Sequence, residues 1–277
     1  GYPANRLEYN VISMIIGAKQ RLGHRYNHLD LLCGNWLNNV SVREDDALTN
    51  IEENLRLARL LTGTPFTDYR LRVSIEERHQ AWAELWLAAR GLRGRVIVGF
   101  HAGGSTNKNH VHKRWPAELY GELGRLLSEK CKATILLFGD PTEEDLKARI
   151  AAKIGPAALL VHTPDILQTC ALMMRCAYFV SNDSALLHLA RALEIPTSGI
   201  FGPTNAQWVR APGMDCHEIR LGLPCQPCFY YSPRHLRCSK GDFHCLRDLA
   251  PEYVAKEILT RMESIGVAPS TRATESM

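Results

Sequence analysis

The sequence predicts an α/β protein: a parallel sheet covered by helices, preceded by a partial, mostly helical α/β region. Three observations carry this. From about residue 95 onward, short apolar runs alternate with helical stretches across short connections, the rhythm of strand–helix–strand units. Polar and glycine-rich residues collect after the apolar runs, at His101–Ser105, Gly139–Glu143, His162–Pro164, Asn182–His188 and Gly202–Thr204. In a parallel sheet, ligands bind outside the carboxyl ends of the strands, so the site is expected along one edge. Before residue 93 the strand-like pieces are too few and too short to fill a sheet.

In the front region, Leu7, Val11, Ile12, Ile15 and Ile16 fall on one face of a helix over residues 6–18. Asp46 is placed to cap a second helix carrying Leu48, Ile51, Leu55, Ala58 and Leu61, with Gly63 as its stop. Ser74 and Glu77 are spaced as a capping box for a third, running to about Arg90. Strand-like pieces fall at Leu29–Cys33 and Leu71–Val73. In the regular half, strands are expected at Val96–Phe100, Thr134–Phe138, Leu159–Val161, Tyr178–Val180 and Thr197–Phe201. The helices between them start near Pro116, at Asp140 with Glu143 as a capping box, at Pro164, and at Asp183 or Ser184, and a last helix runs from Pro251 to about Ile265.

At 277 residues, the length fits one large domain or two modest ones. A composition 45% hydrophobic and 22% charged excludes a disordered, collagen-like or coiled-coil chain. Apolar runs such as Ala133–Phe138 fall far short of the roughly 18 residues that span a bilayer. Thirty-three basic against 29 acidic residues gives +4, too small to argue for nucleic acid, although the basic, aromatic stretch Phe229–Lys240 is the one that would read it. The opening residues Gly1–Arg6 are polar, so no signal peptide is expected, and with nine cysteines, an odd total, a reducing cytoplasm is the expected compartment. Cys33, Cys131, Cys170, Cys176 and Cys216 are scattered among apolar residues and are expected to be inert thiols. Cys225, Cys228, Cys238 and Cys245 are spaced C-x2-C-x9-C-x6-C; they are the candidate ligands of a structural zinc or iron–sulfur site, the alternatives being a packed, thiol-rich loop or partial disulfides.

Several groups could hold an anion. Asp183 or Ser184 opens a helix whose free N–H groups suit a phosphate, and His188 lies one turn later on the same face. The glycines of His101–Ser105 would let backbone N–H groups approach a diphosphate, and Lys113 could neutralise charge developing on it. Glu143 lies where nucleotide-binding sheets place a carboxylate for ribose hydroxyls. Each has a plainer reading: a helix cap with a core histidine, a solvated basic turn, and helix-capping acids.

Lys113-Arg114-Trp115-Pro116, Phe138-Gly139-Asp140, Ser181–Ala190, Ile200–Thr204 and the Cys225-x-x-Cys228…Cys245 stretch together resemble glycosyltransferase family 9, the ADP-heptose:lipopolysaccharide heptosyltransferases. The resemblance is ordered over residues 93–265 and weaker over 1–92. It implies a GT-B fold of two Rossmann-like domains facing across a cleft. Residues 1–92 would be a partial acceptor-side domain, 93–265 the nucleotide-sugar-binding domain and 266–277 a flexible tail. The implied reaction is inverting transfer of heptose from ADP-heptose to a lipopolysaccharide core acceptor, in the cytoplasm and peripheral to the inner membrane, with no metal required for catalysis. Gly103, Gly104, Ser105 and Lys113 would hold the diphosphate, Glu143 the ribose, and Asp183, Ser184, Ala185 and His188 the phosphates and sugar. Lys113, Asp183 and His188 would be the catalytic set. Arg6, Lys19, Arg21 and Arg25 could face an anionic acceptor. Two departures accompany the resemblance. The loop from His101 to Lys113 is longer than in the pattern, and the carboxylate that family members carry near their start as general base has no counterpart. Asp30, Asp45 and Asp46 come too late to replace it. The chain therefore reads as opening mid-pattern, short of roughly eighty residues of a domain of ordinary size. The alternative function is a nucleotide-sugar-binding remnant without catalysis.

Overall fold

A computed structural model describes residues 7–27, 30–66, 70–210, 216–229 and 235–267. The expected tail over 268–277, and the expectation for Arg6, lie outside these residues. Helix α1 (Leu7–Ile15), strand β1 (Leu22–Arg25), helix α2 (Asp30–Cys33), strand β2 (Val40–Arg43) and helix α3 (Asn50–Thr62) form the front region. Strands β1 and β2 pair in parallel, Leu22 opposite Val40. The strand-like piece expected at Leu29–Cys33 is instead the helical turn α2, and Leu71–Val73 is not a strand. The β1 and β2 strands carry Gly23, His24, Ser41 and Arg43, and so give little apolar signal. Helix α3 starts later than expected: Thr49, not Asp46, is its cap, accepting from the Glu52 N–H while Glu52 reaches back, and Gly63 ends it at φ 67°. A buried ion pair, His24 Nε2 to Glu53 Oε2 at 3.0 Å, ties β1 to α3. Large apolar side chains remain on this region's surface: Ile15, Ile16, Leu31, Trp36 and Leu61 are each at least 60% exposed.

Helix α4 (Glu77–Ala88) begins at Glu76 without a side-chain cap, so the Ser74–Glu77 box does not form. The regular half then runs β3 (Ile97–His101), α5 (Ala117–Cys131), β4 (Thr134–Leu137), α6 (Glu144–Ile154), β5 (Ala158–Leu160), α7 (Ile166–Met173), β6 (Tyr178–Asn182), α8 (Ala185–Ala192) and β7 (Thr197–Ile200). After these come α9 (Ala206–Val209), β8 (Cys216–Ile219), α10 (His244–Arg247) and α11 (Pro251–Ser264). Among the described residues these strands form one six-stranded sheet in the order β5-β4-β3-β6-β7-β8, parallel throughout. The edge strand β8 was not legible in the sequence, because Cys-His-Glu-Ile is neither an apolar run nor an alternation.

Both faces of the sheet are covered, which is why β3 and β4 are apolar along almost their whole length. On one face Phe100, Ile135 and Leu137 pack against Tyr120, Leu123, Leu127 and Ile154 of α5 and α6 and Val254, Ile258 and Met262 of α11. Gly124 lets α5 and α6 close up: a Cβ there would stand 2.4 Å from Ile154 Cδ1. On the other face Ile97, Leu136 and Phe179 pack against α7, α8 and also Ala83, Trp86 and Leu87 of α4. Helix α4, grouped with the front region by sequence, thus packs on the large sheet.

Candidate active site

Strands β3 and β6 are neighbours, yet β3 connects outward to β4 and β6 connects outward to β7. Their following loops diverge and leave a crevice at the strand ends, the switch point where open α/β sheets bind ligands. A cavity of about 760 Å³ opens there. It is lined from the ends of β3, β4, β5 and β6, with Asn50 of α3 reaching in from the front region. Gly104, Ser105, Lys113, Glu143, Asp183, Ser184, Ala185 and His188, all singled out from the sequence, line it. Gly103 lies just beneath, buried.

The loop after β3 carries Lys113 into the crevice. Lys108 and Asn109 turn it through left-handed conformations (φ 53° and 63°), and the Leu236 N–H fastens it to the Lys108 carbonyl at 2.9 Å. Lys113 Nζ meets Asp183 Oδ2 at 2.9 Å, and both side chains are at most 10% exposed. Asn182, which sequence reasoning did not single out, locks the loop ends. Its amide donates to the carbonyls of Ala102 (2.7 Å) and Gly103 (3.2 Å), and its Oδ1 accepts from the Trp115 N–H at 3.0 Å. Such a buried side-chain amide substitutes for the backbone pairing that a bent loop cannot supply.

Glu143 is expected at a ribose, and it does reach the cavity, but its carboxylate is already saturated. Oε1 accepts from the Gly104 N–H (2.7 Å) and from Arg114 Nη2 (3.2 Å), and Oε2 takes His101 Nε2 (3.2 Å) and the Asp140 N–H (3.3 Å). Arg114 also donates to the Gly104 carbonyl. Burial works to raise the carboxyl pKa. Hydrogen bonds from His101 and the Gly104 N–H, with the charge of Arg114, outweigh it and hold the group at about 2. Glu143 therefore cross-links the loops after β3 and β4, and with Asp140 it forms the expected capping box. Gly103 permits this approach, because a Cβ there would stand 1.9 Å from Glu143 Oε1.

At the end of β6, Ser184 caps α8, its Oγ accepting from the Leu187 N–H at 3.4 Å. The same Oγ lies 2.9 Å from His101 Nδ1 and 2.9 Å from Ser181 Oγ. His101 is thus a second residue that sequence reasoning left unassigned; its signal was its place at the carboxyl end of a central strand. His188 sits one turn into α8. Burial lowers its pKa, with Arg191 and Lys113 adding to this against Asp183. After β5, Thr163, Asp165, Ile166 and Thr169 complete the wall. Of the front cations, Lys19 and Arg25 are exposed, whereas Arg21 spends its guanidinium on the carbonyls of Leu37 and Ala18.

The four clustered cysteines lie at different depths, Cys228 exposed and Cys245 buried. Burial pushes Cys245 up to about 11, helped by the nearness of Cys228, Cys238 and Cys225. Among the described residues, no three or more His, Cys, Asp or Glu side chains are arranged to hold a metal ion. Cys225, Cys228, Cys238 and Cys245 share one loop region and lie close enough for their charges to bear on one another, and a structural zinc or iron–sulfur site there stays a proposal beside a packed thiol loop. This loop braces the Lys113 turn: Phe243 stacks on His112 at 4.3 Å and Phe229 meets His110 edge-on at 5.3 Å.

A family model described as glycosyltransferase family 9 (heptosyltransferase) matches residues 4–237. The chain belongs to glycosyltransferase family 9. It is 29% identical over 170 residues to lipopolysaccharide heptosyltransferase 1 of Pseudomonas aeruginosa, a match covering 58% of this chain and 46% of that protein. It is 26% identical over 238 residues to lipooligosaccharide heptosyltransferase 2 of Haemophilus ducreyi, covering 80% and 65%. The chain thus spans about half to two thirds of the length of these relatives. The structure of Escherichia coli ADP-heptose LPS heptosyltransferase II superposes with a TM-score of 0.64 at 21% identity, over 95% of this chain and 75% of that one. A family 9 glycosyltransferase from Veillonella parvula gives 0.66 at 17% identity, over 92% and 70%. The family 9 chain has the mixed α/β, parallel-sheet architecture of these GT-B enzymes.

Proposed function

We propose that this chain carries the donor site of an inverting heptosyltransferase acting on ADP-heptose and a lipopolysaccharide core acceptor. The observation that supports it is the convergence of Lys113, the α8 N-terminus and the Gly103–Ser105 loop on one cavity at the switch point. A diphosphate seated there would accept from the free N–H groups at the start of α8 and from Lys113, in a recess that excludes most water. The donor and acceptor are those in the names of the E. coli and P. aeruginosa relatives. In the transfer, an acceptor hydroxyl oxygen attacks the anomeric carbon from the face opposite the diphosphate. The sugar–phosphate C–O bond breaks, its electrons pass to the departing ADP, and the hydroxyl proton goes to a base. Lys113 neutralises the charge growing on ADP, Asp183 orients Lys113 and the sugar, and His188 donates a ring N–H. Glu143 acts by holding Gly104 and Arg114 in place; it meets ribose only by giving up one of its four donors.

One observation favours a second reading. Each carboxylate lining the cavity is already committed: Asp140 and Asp165 cap helical turns, Glu143 is saturated and Asp183 pairs with Lys113. A chain of this kind would bind donor without transferring it. Incubation with ADP-heptose and heptose-deficient lipopolysaccharide, read by mass spectrometry of the lipid and by ADP release, separates the two. One heptose added per acceptor supports the enzyme, whereas donor binding with unmodified acceptor supports the second reading. No described helix is long and apolar enough to cross a membrane, and contact with a lipid-anchored acceptor would then be peripheral.

A further inference from the structure

We propose that His101 is a positioning residue of the donor site: it takes up a proton as a nucleoside diphosphate sugar binds, and this frees the Ser184 hydroxyl to donate to the diphosphate. The proposal rests on the donor-site reading above. His101 is 5% exposed and ends β3, bridging two loops. Its Nε2 faces Glu143 Oε2 at 3.2 Å, and its Nδ1 faces Ser184 Oγ at 2.9 Å and Ser181 Oγ at 3.4 Å.

The chemistry of these partners fixes the proton positions. An ionised carboxylate only accepts, so Nε2 carries the hydrogen. With the ring neutral, Nδ1 is then an acceptor and takes the hydrogen of its nearest hydroxyl, Ser184 Oγ–H. The remaining lone pairs of Ser184 Oγ face the Leu187 N–H and Ser181 Oγ, so the residue has nothing left to give a ligand. When Nδ1 gains a proton, it donates to Ser184 Oγ instead, taking the lone pair that the Ser181 hydroxyl gives up as it turns away. The Ser184 hydrogen then turns to the cavity that both residues line. The proton comes from solvent, and no other bond is made or broken.

Charge supplies the driving force. The cavity wall carries two cations, Lys113 and Arg114, against four carboxylates, Asp140, Glu143, Asp165 and Asp183. An incoming diphosphate adds negative charge to a wall already in deficit, and histidine is the side chain that answers this near neutrality. The two histidines of the wall are not equal. Burial, Lys113 and Arg191 disfavour a cation at His188, whereas His101 has a carboxylate on one nitrogen and a hydroxyl that can accept on the other.

The test is calorimetric titration of the full chain with ADP-heptose, whose diphosphate is esterified at both ends and does not itself titrate near neutrality. Repeating it in buffers of different ionisation enthalpy gives the protons taken up. Wild type should take up a proton on binding, and its affinity should rise as pH falls toward 6, by at most about tenfold per pH unit. His101→Gln can donate to Glu143 and accept from Ser184 as the neutral ring does. It should retain binding at high pH and lose both the uptake and the pH dependence, while His188→Gln should keep them. Ring nitrogen NMR of the wild type is the second readout: one histidine should pass from one protonated nitrogen to two when donor is added. Donor binding without proton uptake, or uptake that survives His101→Gln and disappears in His188→Gln, overturns the role of His101 alone. No donor binding by the folded chain overturns the donor-site reading and this one with it.

Discussion

Replacing Glu143 by glutamine keeps the shape of the side chain and removes half of its accepting capacity, so the cost can be worked from its four donors. The single amide oxygen can serve either the Gly104 N–H and Arg114 or His101 and the Asp140 N–H. In the first arrangement the amide NH2 faces His101, which can switch tautomer and accept, but the Asp140 N–H is left opposing a donor. A donor left without a partner costs about 1–3 kcal/mol when buried, the lower end applying to this part-buried N–H, and Arg114 also loses its ion pair. The sum is a loss of about 2–4 kcal/mol in urea denaturation at pH 7. The same contacts appear in the depressed pKa. A carboxyl held at about 2 against 4.5 unperturbed contributes roughly 3 kcal/mol. The folded-state value is depressed, so this stability is fully present above the unfolded value and is lost as pH falls from about 4.5 toward 2. Wild type and Glu143→Gln should therefore differ most at neutral pH and converge in acid. A difference below about 0.5 kcal/mol at pH 7, or one that does not shrink in acid, refutes the view of Glu143 as a saturated cross-link.

Three further outcomes follow from named contacts. Gly103→Ala drives a methyl group to 1.9 Å from a carboxylate that four donors prevent from moving. It should cost about 1–3 kcal/mol in thermal or chemical unfolding and weaken donor binding. Burial raises the Cys131, Cys170 and Cys176 thiols, so these should resist a thiol reagent in the native protein and react in denaturant, while the exposed Cys228 reacts; early labelling of Cys176 would contradict the buried placement. Elemental analysis of the purified chain decides between the two readings of the four clustered thiols, and zinc and iron well below one atom per chain would leave them a packed loop. A full equivalent of either would show that the thiols draw together around it.

Five of the six strands of the large sheet, all but the edge strand β8, were legible because a strand buried on both faces must be apolar along its whole length, as Ile135-Leu136-Leu137 is. The cap at Asp140 and Glu143 was legible because it is local in sequence. What escaped depends on contacts distant in the chain. Leu22–Arg25 and Val40–Arg43 pair with each other and bury only part of their length, so their sequences carry no run to read. At the site, Lys113, Asp183, Ser184 and His188 converge as their positions after strand ends suggested. The meeting of His101 with Ser184 across 83 residues, and of Asn182 with Ala102 across 80, could not be read from spacing. Nor could the saturation of Glu143, which depends on the loop after a different strand folding back onto it.

The central claim is that the crevice between β3 and β6 holds a nucleotide sugar through Lys113 and Asp183. Titration of ADP-heptose into the purified chain, beside Lys113→Ala and Asp183→Ala, tests it most directly. Each variant removes one side of a buried ion pair, at a cost of about 3–5 kcal/mol in stability, so folding is verified by circular dichroism at the titration temperature. Loss of a charge-assisted hydrogen bond to a phosphate is worth about 1.5–3 kcal/mol, tenfold or more in affinity. Saturable binding by wild type, weakened at least about tenfold in folded Lys113→Ala and also reduced in Asp183→Ala, is the expected result. Absence of binding by the folded wild-type chain, or equal binding by all three, would contradict the claim.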